Sequence, residues 1–391
     1  MARQTVAIIG SGWAGYTLAH SIDDKKFNVV VISPAEESVR HKRRTVRFTQ
    51  ARVDDINFES KVCVCSPAFP ELGSRSFDIA YDVVVMAPGC ETNTLNAPGV
   101  AEHRLFVRNV ANAMAVRKRL LEIMEIASLP FMSDEEQRNI LHIIVVGGGP
   151  TGVEVTAEIY DLVRNDFVHL YPALAGKIPV AIHDVATQIL SVFDAKLAEH
   201  ALSSFRHHDV EMKTGSHITK VDSDTVYTKE DGEIKYGMLI WAAGNKEVPL
   251  VNRLNLSKSA RLPPILTDFY LRALGPDGTP VSDAYAIGDA ADTNGSEFPT
   301  TPEVGCQKGE YLAKILNTGH KAPFTYKQKT LIAYTGQHDG VIAGRSDWTG
   351  PAAWMAWRSK NLTWARSWRN KILIVIGWGL DYAFGQEIAR V

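Results

Sequence analysis

The chain is poor in cysteine, with four in 391 residues, at Cys63, Cys65, Cys90 and Cys306, and no two stand in a C-x-x-C spacing. That removes a thioredoxin-like redox disulfide and a zinc ribbon. Cys63 and Cys65, two apart, are expected on one face of a strand as free, semi-buried thiols. Charge of one sign is lacking too: 42 Lys and Arg stand against 44 Asp and Glu, with a pI near 6.6. No nucleic-acid partner is therefore implied. The 12 histidines, His207-His208 among them, show no metal-ligand spacing, so no metal is expected. No Ser-His-Asp or Cys-His nucleophile arrangement is legible. No uncharged run has the length of a bilayer span. With an apolar strand already starting at Thr5, no signal or transit peptide is expected ahead of it.

What remains is an ordinary globular composition, 45% hydrophobic and 22% charged, long enough for about two to three domains. The organising stretch is HIIVVGGGPTGVE, His142 to Glu154. Ile143–Val146 reads as a buried parallel strand, and Gly147, Gly149 and Gly152 form the G-x-G-x-x-G turn, with Pro150 and Thr151 opening a helix. The glycines make the turn, admit a pyrophosphate to the backbone amides, and let helix and strand pack closely. The helix N-terminus then favours the anion. The pattern recurs at Thr5–Ile9 followed by GSGWAG, that is Gly10, Ser11, Gly12, Trp13, Ala14 and Gly15. Two full strand-turn-helix contexts indicate two dinucleotide sites; the alternative is two structural glycine turns inside a doubly wound sheet.

The second strand of the first unit, Val29–Ile32, ends in Ser33 where NAD-binding folds place an acid. Serine suits a site for FAD. The basic run SVRHKRRTVR at 38–47 reads better as a solvated edge than as a phosphate or lipid contact. Strands are expected over Val53–Val64 and Tyr81–Met86, the latter ending in Ala87-Pro88-Gly89, and a helix over 109–128. MSDEEQRN, 132–139, reads as a loop with an N-cap serine. After the central helix a strand at Val180 ends in Asp184, an acid placed to take a ribose and to repel a 2'-phosphate, which favours NAD(H); the alternative is an exposed loop aspartate. A second small turn ends in Gly244, and AYAIGD ends a strand with Gly288-Asp289, able to accept from a ribityl hydroxyl of FAD. Six of the eight tryptophans fall between 348 and 378, beside basic residues and the apolar stretch ILIVIGWGL. Nine residues are too few to cross a bilayer but suit its interface; the rival is a helical pair on the body or at a dimer interface. The expected fold is α/β. Two Rossmann-like dinucleotide-binding domains are read, an FAD domain (1–110 and 246–345) interrupted by an NAD domain (111–245), with a C-terminal amphipathic helical membrane-anchoring segment (346–391).

With these pieces placed, the chain resembles the type II, or alternative rotenone-insensitive, NADH:quinone oxidoreductases, closest to their fungal and plant mitochondrial branch. SDEEQRNILHIIVVGGGPTGVEVTAEIYDL, ILSVFD, YGMLIWAAG, AYAIGDAAD, QKGEYLAKILN and SWRNKILI carry the resemblance. It implies a dimeric FAD enzyme lying on one face of the mitochondrial inner membrane, moving electrons from NADH to ubiquinone without pumping protons. Gly10, Gly12, Gly15 and Asp289 match its FAD contacts, and Gly149, Gly152 and Asp184 its NADH contacts. Glu154 matches a glutamate beside the nicotinamide and quinone area. Of two glutamines four apart near the quinone head, Gln307 keeps the second while Glu303 replaces the first. Lys329 matches a lysine of the same pocket. An aromatic, proline-containing segment that the family carries after the second strand is absent here, as in a truncated product, a splice form or a specialised paralogue. Two rivals follow: a soluble NAD(P)H flavoprotein acting on a small metabolite, and a catalytically weak nucleotide-binding relative.

Overall fold

The computed structural model describes residues 3–34, 45–190, 193, 195–207, 209–259, 265–296, 298–320, 322–328, 331–344, 347–365 and 367–385. Lys329, His208, residues 38–44 of the basic run, and 191, 192 and 194 of ILSVFD lie outside them. The chain divides into two compact units, Met1–Glu91 with Asn245–Gln328, and Thr92–Gly244 with Lys329–Val391. The first crossing falls at 91/92 rather than 110/111, because the short strand Leu105–Phe106 pairs with Met238–Trp241 of the second unit. The C-terminal helices belong to that second unit rather than standing apart, since Ala353, Trp354 and Trp357 pack on it.

In the first unit a ten-stranded sheet has at its centre the parallel run Pro280–Ala286, Val83–Met86, Gln4–Ile9, Phe27–Ser33 and Val46–Asn57. Side chains alternate across a pleated strand. Val6 and Ile8 therefore join a core under the helices Trp13–Ser21 and Pro302–Thr318, while Ala7 and Ile9 join the core on the other face. The expected strand over 53–64 is two strands: Asn57 Oδ1 accepts from the amides of Glu59 and Ser60, and the chain reverses before Val62–Pro67. Cys63 and Cys65 sit on that hairpin, wholly buried rather than half-buried, because both fall on its core face. Burial pushes them up to about 12 and about 11.

The second unit repeats the plan in five parallel strands, ordered Glu211–Thr214, Val180–Asp184, Ile143–Val146, Met238–Trp241 and Leu105–Phe106. Ile143 and Val145 face one core, Ile144 and Val146 the other. Val110–Ala127 is helical, capped by Asn109. MSDEEQRN is not a loop: Ser133 and Glu136 form a capping box and Asp134–Leu141 is a helix, with three acids in its first turn facing the positive helix end. At the C-terminus, helices Pro351–Trp364 and Trp368–Phe384 follow an antiparallel three-stranded sheet. No described helix is long and apolar enough to cross a membrane.

Candidate functional site

The two glycine turns share one geometry. Gly10 N donates to Ile32 O at 2.8 Å, and Gly147 N to His183 O at 2.8 Å. On the other side Ala87 N donates to Ile9 O, and Ala242 N to Val146 O, both at 2.8 Å. Gly10 and Gly147 have φ of +100° and +111°, where a side chain is strained. The third glycine of each motif is packed shut: a Cβ on Gly15 would come 2.1 Å from Gly10 O, and on Gly152 1.8 Å from Gly147 O. The middle glycines, Gly12 and Gly149, meet nothing within 4 Å. Each is the N-cap of its helix, with no side chain capping the free amides. An open, uncapped, positive helix end is what a pyrophosphate needs, so both turns fit a dinucleotide. Pro150 occupies the first helical turn, where its missing N–H costs nothing. Trp13 stands at the matching first position of the other helix, and Thr151 follows Pro150.

The ends of the second strands differ. Ser33 is buried, and Ser11 Oγ donates to Ser33 Oγ at 2.9 Å, a neutral tie between turn and strand. Asp184 is half-buried; its carboxylate accepts from Gly148 N and, at 2.7 Å, from Ala186 N. Lone pairs remain for a ribose hydroxyl. Gly148, the unassigned position of the motif, is required here: a Cβ would come 2.6 Å from Ile189 Cγ2 and 3.1 Å from Asp184 Oδ2. Three glycines in a row were its signal in the sequence. Gly89 and Gly244 both turn with positive φ after their strands.

Within the first unit, the Gly288-Asp289 turn, the start of helix Pro302–Thr318 and Ala14 come together. A Cβ on Gly288 would lie 3.0 Å from Ala14 Cβ, and one on Gly309 would lie 2.8 Å from Ala14 O, so this helix crosses Trp13–Ser21 at close range. Asp289 is half-buried and receives a long contact, 3.5 Å, from Cys90 Sγ. Gly288, Asp289, Thr301, Gly305 and Lys308 line one pocket. Lys308 escaped the sequence reading; its signal was a lysine set four residues from both Val304 and Leu312, on the buried stripe.

Gln307 Nε2 donates to Glu303 Oε1 at 2.7 Å and to Lys327 O at 2.9 Å, while Lys327 N donates back to Gln307 Oε1 at 3.0 Å. Glu303 and Gln307 are thus joined, and Gln307 ties down the segment that leads toward Lys329. In the second unit Glu154 accepts from Trp357 Nε1 at 2.9 Å and Tyr334 N at 3.4 Å, beside the stacked Tyr334 and Trp357 rings. Burial raises the Glu154 carboxyl above its ordinary range, and those two donors oppose the rise. No cluster able to hold a metal occurs among the described residues.

The helix Trp368–Phe384 buries none of its residues. Ile372, Leu373, Val375, Ile376, Leu380, Tyr382 and Phe384 are all more than half exposed. Arg358 of the preceding helix lies over Trp378, 4.3 Å from its ring centre, fixing the pair of helices together.

Residues 34–309 match the profile of the pyridine nucleotide-disulphide oxidoreductases. The chain is 30% identical to a protein of Dictyostelium discoideum named as a probable NADH dehydrogenase, over 99% of this chain and 91% of that one. It is also 30% identical to the mitochondrial internal alternative NAD(P)H-ubiquinone oxidoreductase A1 of Solanum tuberosum, over 100% of this chain and 88% of that one. Its fold matches that of Plasmodium falciparum NDH2, solved in complex with NADH, with a TM-score of 0.91 at 22% identity over 99% of this chain and 100% of that one.

Proposed function

Because the chain belongs to the pyridine nucleotide-disulphide oxidoreductase family, alongside alternative NADH dehydrogenases, we propose that it passes two electrons from NADH through FAD to a quinone, without pumping protons. The observation that carries the reading is the pair of bare glycine cradles, each with an open middle glycine and an uncapped helix end. When bound, the isoalloxazine supplies the two-electron chemistry; the protein orients it and tunes its charge.

In this reading Gly10, Ser11, Gly12, Trp13, Ala14, Gly15, Ser33, Gly89, Gly288 and Asp289 hold FAD. Gly147, Gly149, Pro150, Thr151, Gly152, Asp184 and Gly244 hold NADH, and the Asp184 carboxylate disfavours the 2'-phosphate of NADPH. Glu154, the Glu303–Gln307 pair and Lys329 serve the quinone reaction. The uncovered apolar face of Trp368–Phe384 suits the plane of a membrane interface, with the tryptophans and basic residues at headgroup depth. A homodimer lying peripherally on a mitochondrial inner membrane is the matching assembly, in keeping with the mitochondrial name of the potato relative.

The test is anaerobic addition of NADH while the flavin absorbance band is followed, then addition of a short-chain ubiquinone. Bleaching followed by quinone-driven recovery is expected. A protein without flavin, or bleaching with no recovery, would reject the reading. Glu303→Gln keeps or raises quinone turnover if that pair serves the quinone; a large loss would remove Glu303 from the assignment and favour a small-metabolite acceptor.

A further inference from the structure

Helix Pro302–Thr318 buries Val304, Gly305, Gly309, Leu312 and Ala313, and in the middle of that face lies Lys308, 1% exposed. Its ammonium donates to Ala291 O at 3.1 Å and lies 5.5 Å from the Phe298 ring centre. An ammonium has three protons to place, and a single carbonyl with a distant ring face replaces little of its lost water. The charged groups facing it are the carboxylates of Asp292, itself buried, and Asp289. Burial outweighs both and pushes the lysine down to about 8. A methionine would fill the same space without this cost, so packing does not explain the residue.

The lysine's surroundings do. It lines the pocket shared by the Gly288-Asp289 turn and the first turn of its own helix, which is where the reading above puts part of the FAD. Thr301 caps that helix at Val304 N, and the helix presents its positive end. A hydride brings two electrons with one proton, so the acceptor gains a negative charge that something must balance.

We propose that Lys308 is a positioning residue for the flavin's charge: its ammonium, held in this pocket by the Ala291 carbonyl, stabilises the reduced flavin over the oxidised one. The inference rests on the FAD assignment and fails separately from it. The competing role is a purely structural one, as partner to Asp292.

The experiment compares the wild-type holoprotein with Lys308→Met, Lys308→Gln and Lys308→Arg. For each, flavin content, the flavin midpoint potential against reference dyes, and the melting temperature of the flavin-free protein are measured. Both uncharged variants are expected to shift the oxidised-to-reduced equilibrium at least tenfold toward the oxidised form, about 30 mV for a two-electron couple. Lys308→Arg should restore most of the potential. Unchanged potentials in flavin-loaded Met and Gln variants would overturn the proposal and leave FAD binding intact, as would a fall in melting temperature with no change in potential. A wild-type protein that takes up no flavin would instead overturn the functional reading beneath it. If the Met variant does not fold, the Gln variant, which keeps a donor for Ala291, carries the test.

Discussion

The turn at Gly10–Gly15 and the turn at Gly147–Gly152 are built alike along their glycines, and differently at the ends of the strands beside them. Gly10 and Gly147 reach the neighbouring strand through the same 2.8 Å bond, and Ala87 and Ala242 close the other side in the same way. Backbone geometry dictates this part, because amides must approach an anion and only glycine allows it. At the strand ends Ser33 stands against Asp184, and one residue earlier Ile32 against His183. The first turn is neutral and tied by the Ser11–Ser33 bond; the second carries a carboxylate already holding two amides. In the proposed reading, cofactor identity is therefore written at the strand ends, and cofactor binding in the glycines.

The comparison breaks most severely at the packed glycines. Gly15→Ala and Gly152→Ala should each lower stability by about 3 kcal/mol, as overpacking against a backbone carbonyl does. Gly152→Ala should cost the more, since its Cβ would come 1.8 Å from that oxygen against 2.1 Å; urea unfolding of the two variants checks the order. Next is acid. His183 is buried, bonded through Nδ1 to Ser216 Oγ at 2.9 Å, and pushed down to about 4 by burial and then by His142, with Glu211, Lys213 and Asp231 also acting on it. The unfolded chain protonates this ring first, so its contribution is present above pH 6.5 and is lost as pH falls from 6.5 toward 4, by up to about 3 kcal/mol. Hydrogen exchange should show the second unit loosening in that window while the first, with Ile32 in the equivalent place, holds; His183→Val should remove the difference.

Asp184→Asn should raise the ratio of NADPH to NADH affinity by about tenfold, 1.4 kcal/mol, by removing a charge that repels the 2'-phosphate. Binding titrations of the two nucleotides read it directly, and an unchanged ratio would take specificity away from Asp184. The smallest effect is expected at Ser33→Ala, which deletes one buried hydrogen bond and should weaken flavin retention by about 1 kcal/mol, with NADH affinity unaffected.

Both turns were legible in the sequence because their requirements are local: a run of β-branched residues, three glycines at fixed spacing, then a helix. The doubling of the fold was legible for the same reason. Features that depend on distant partners were not. Cys63 and Cys65 read as half-buried, since only the paired strands Val46–Asn57 and Phe77–Ala80 close over them. Asp134–Leu141 is the exception: it read as a loop although the Ser133–Glu136 box and the acids of its first turn, all local helix-start signals, stand in the sequence. Lys308 escaped the sequence reading, since the Ala291 carbonyl and the Phe298 ring that surround its ammonium come to it only in the fold. Glu154 was singled out in the sequence by resemblance, but its Trp357 and Tyr334 donors come from about 200 residues away, where no spacing rule reaches.

The division of labour between the two turns has one direct test, Gly149→Val. Nothing lies within 4 Å of a Cβ there and the backbone is extended, so the variant should fold normally while its side chain covers the amides meant for NADH. Purified beside the wild type and mixed anaerobically with NADH, it should carry a full complement of flavin that NADH no longer bleaches. A variant that loses its flavin, or one bleached as readily as the wild type, would contradict the assignment of FAD to the first turn and NADH to the second.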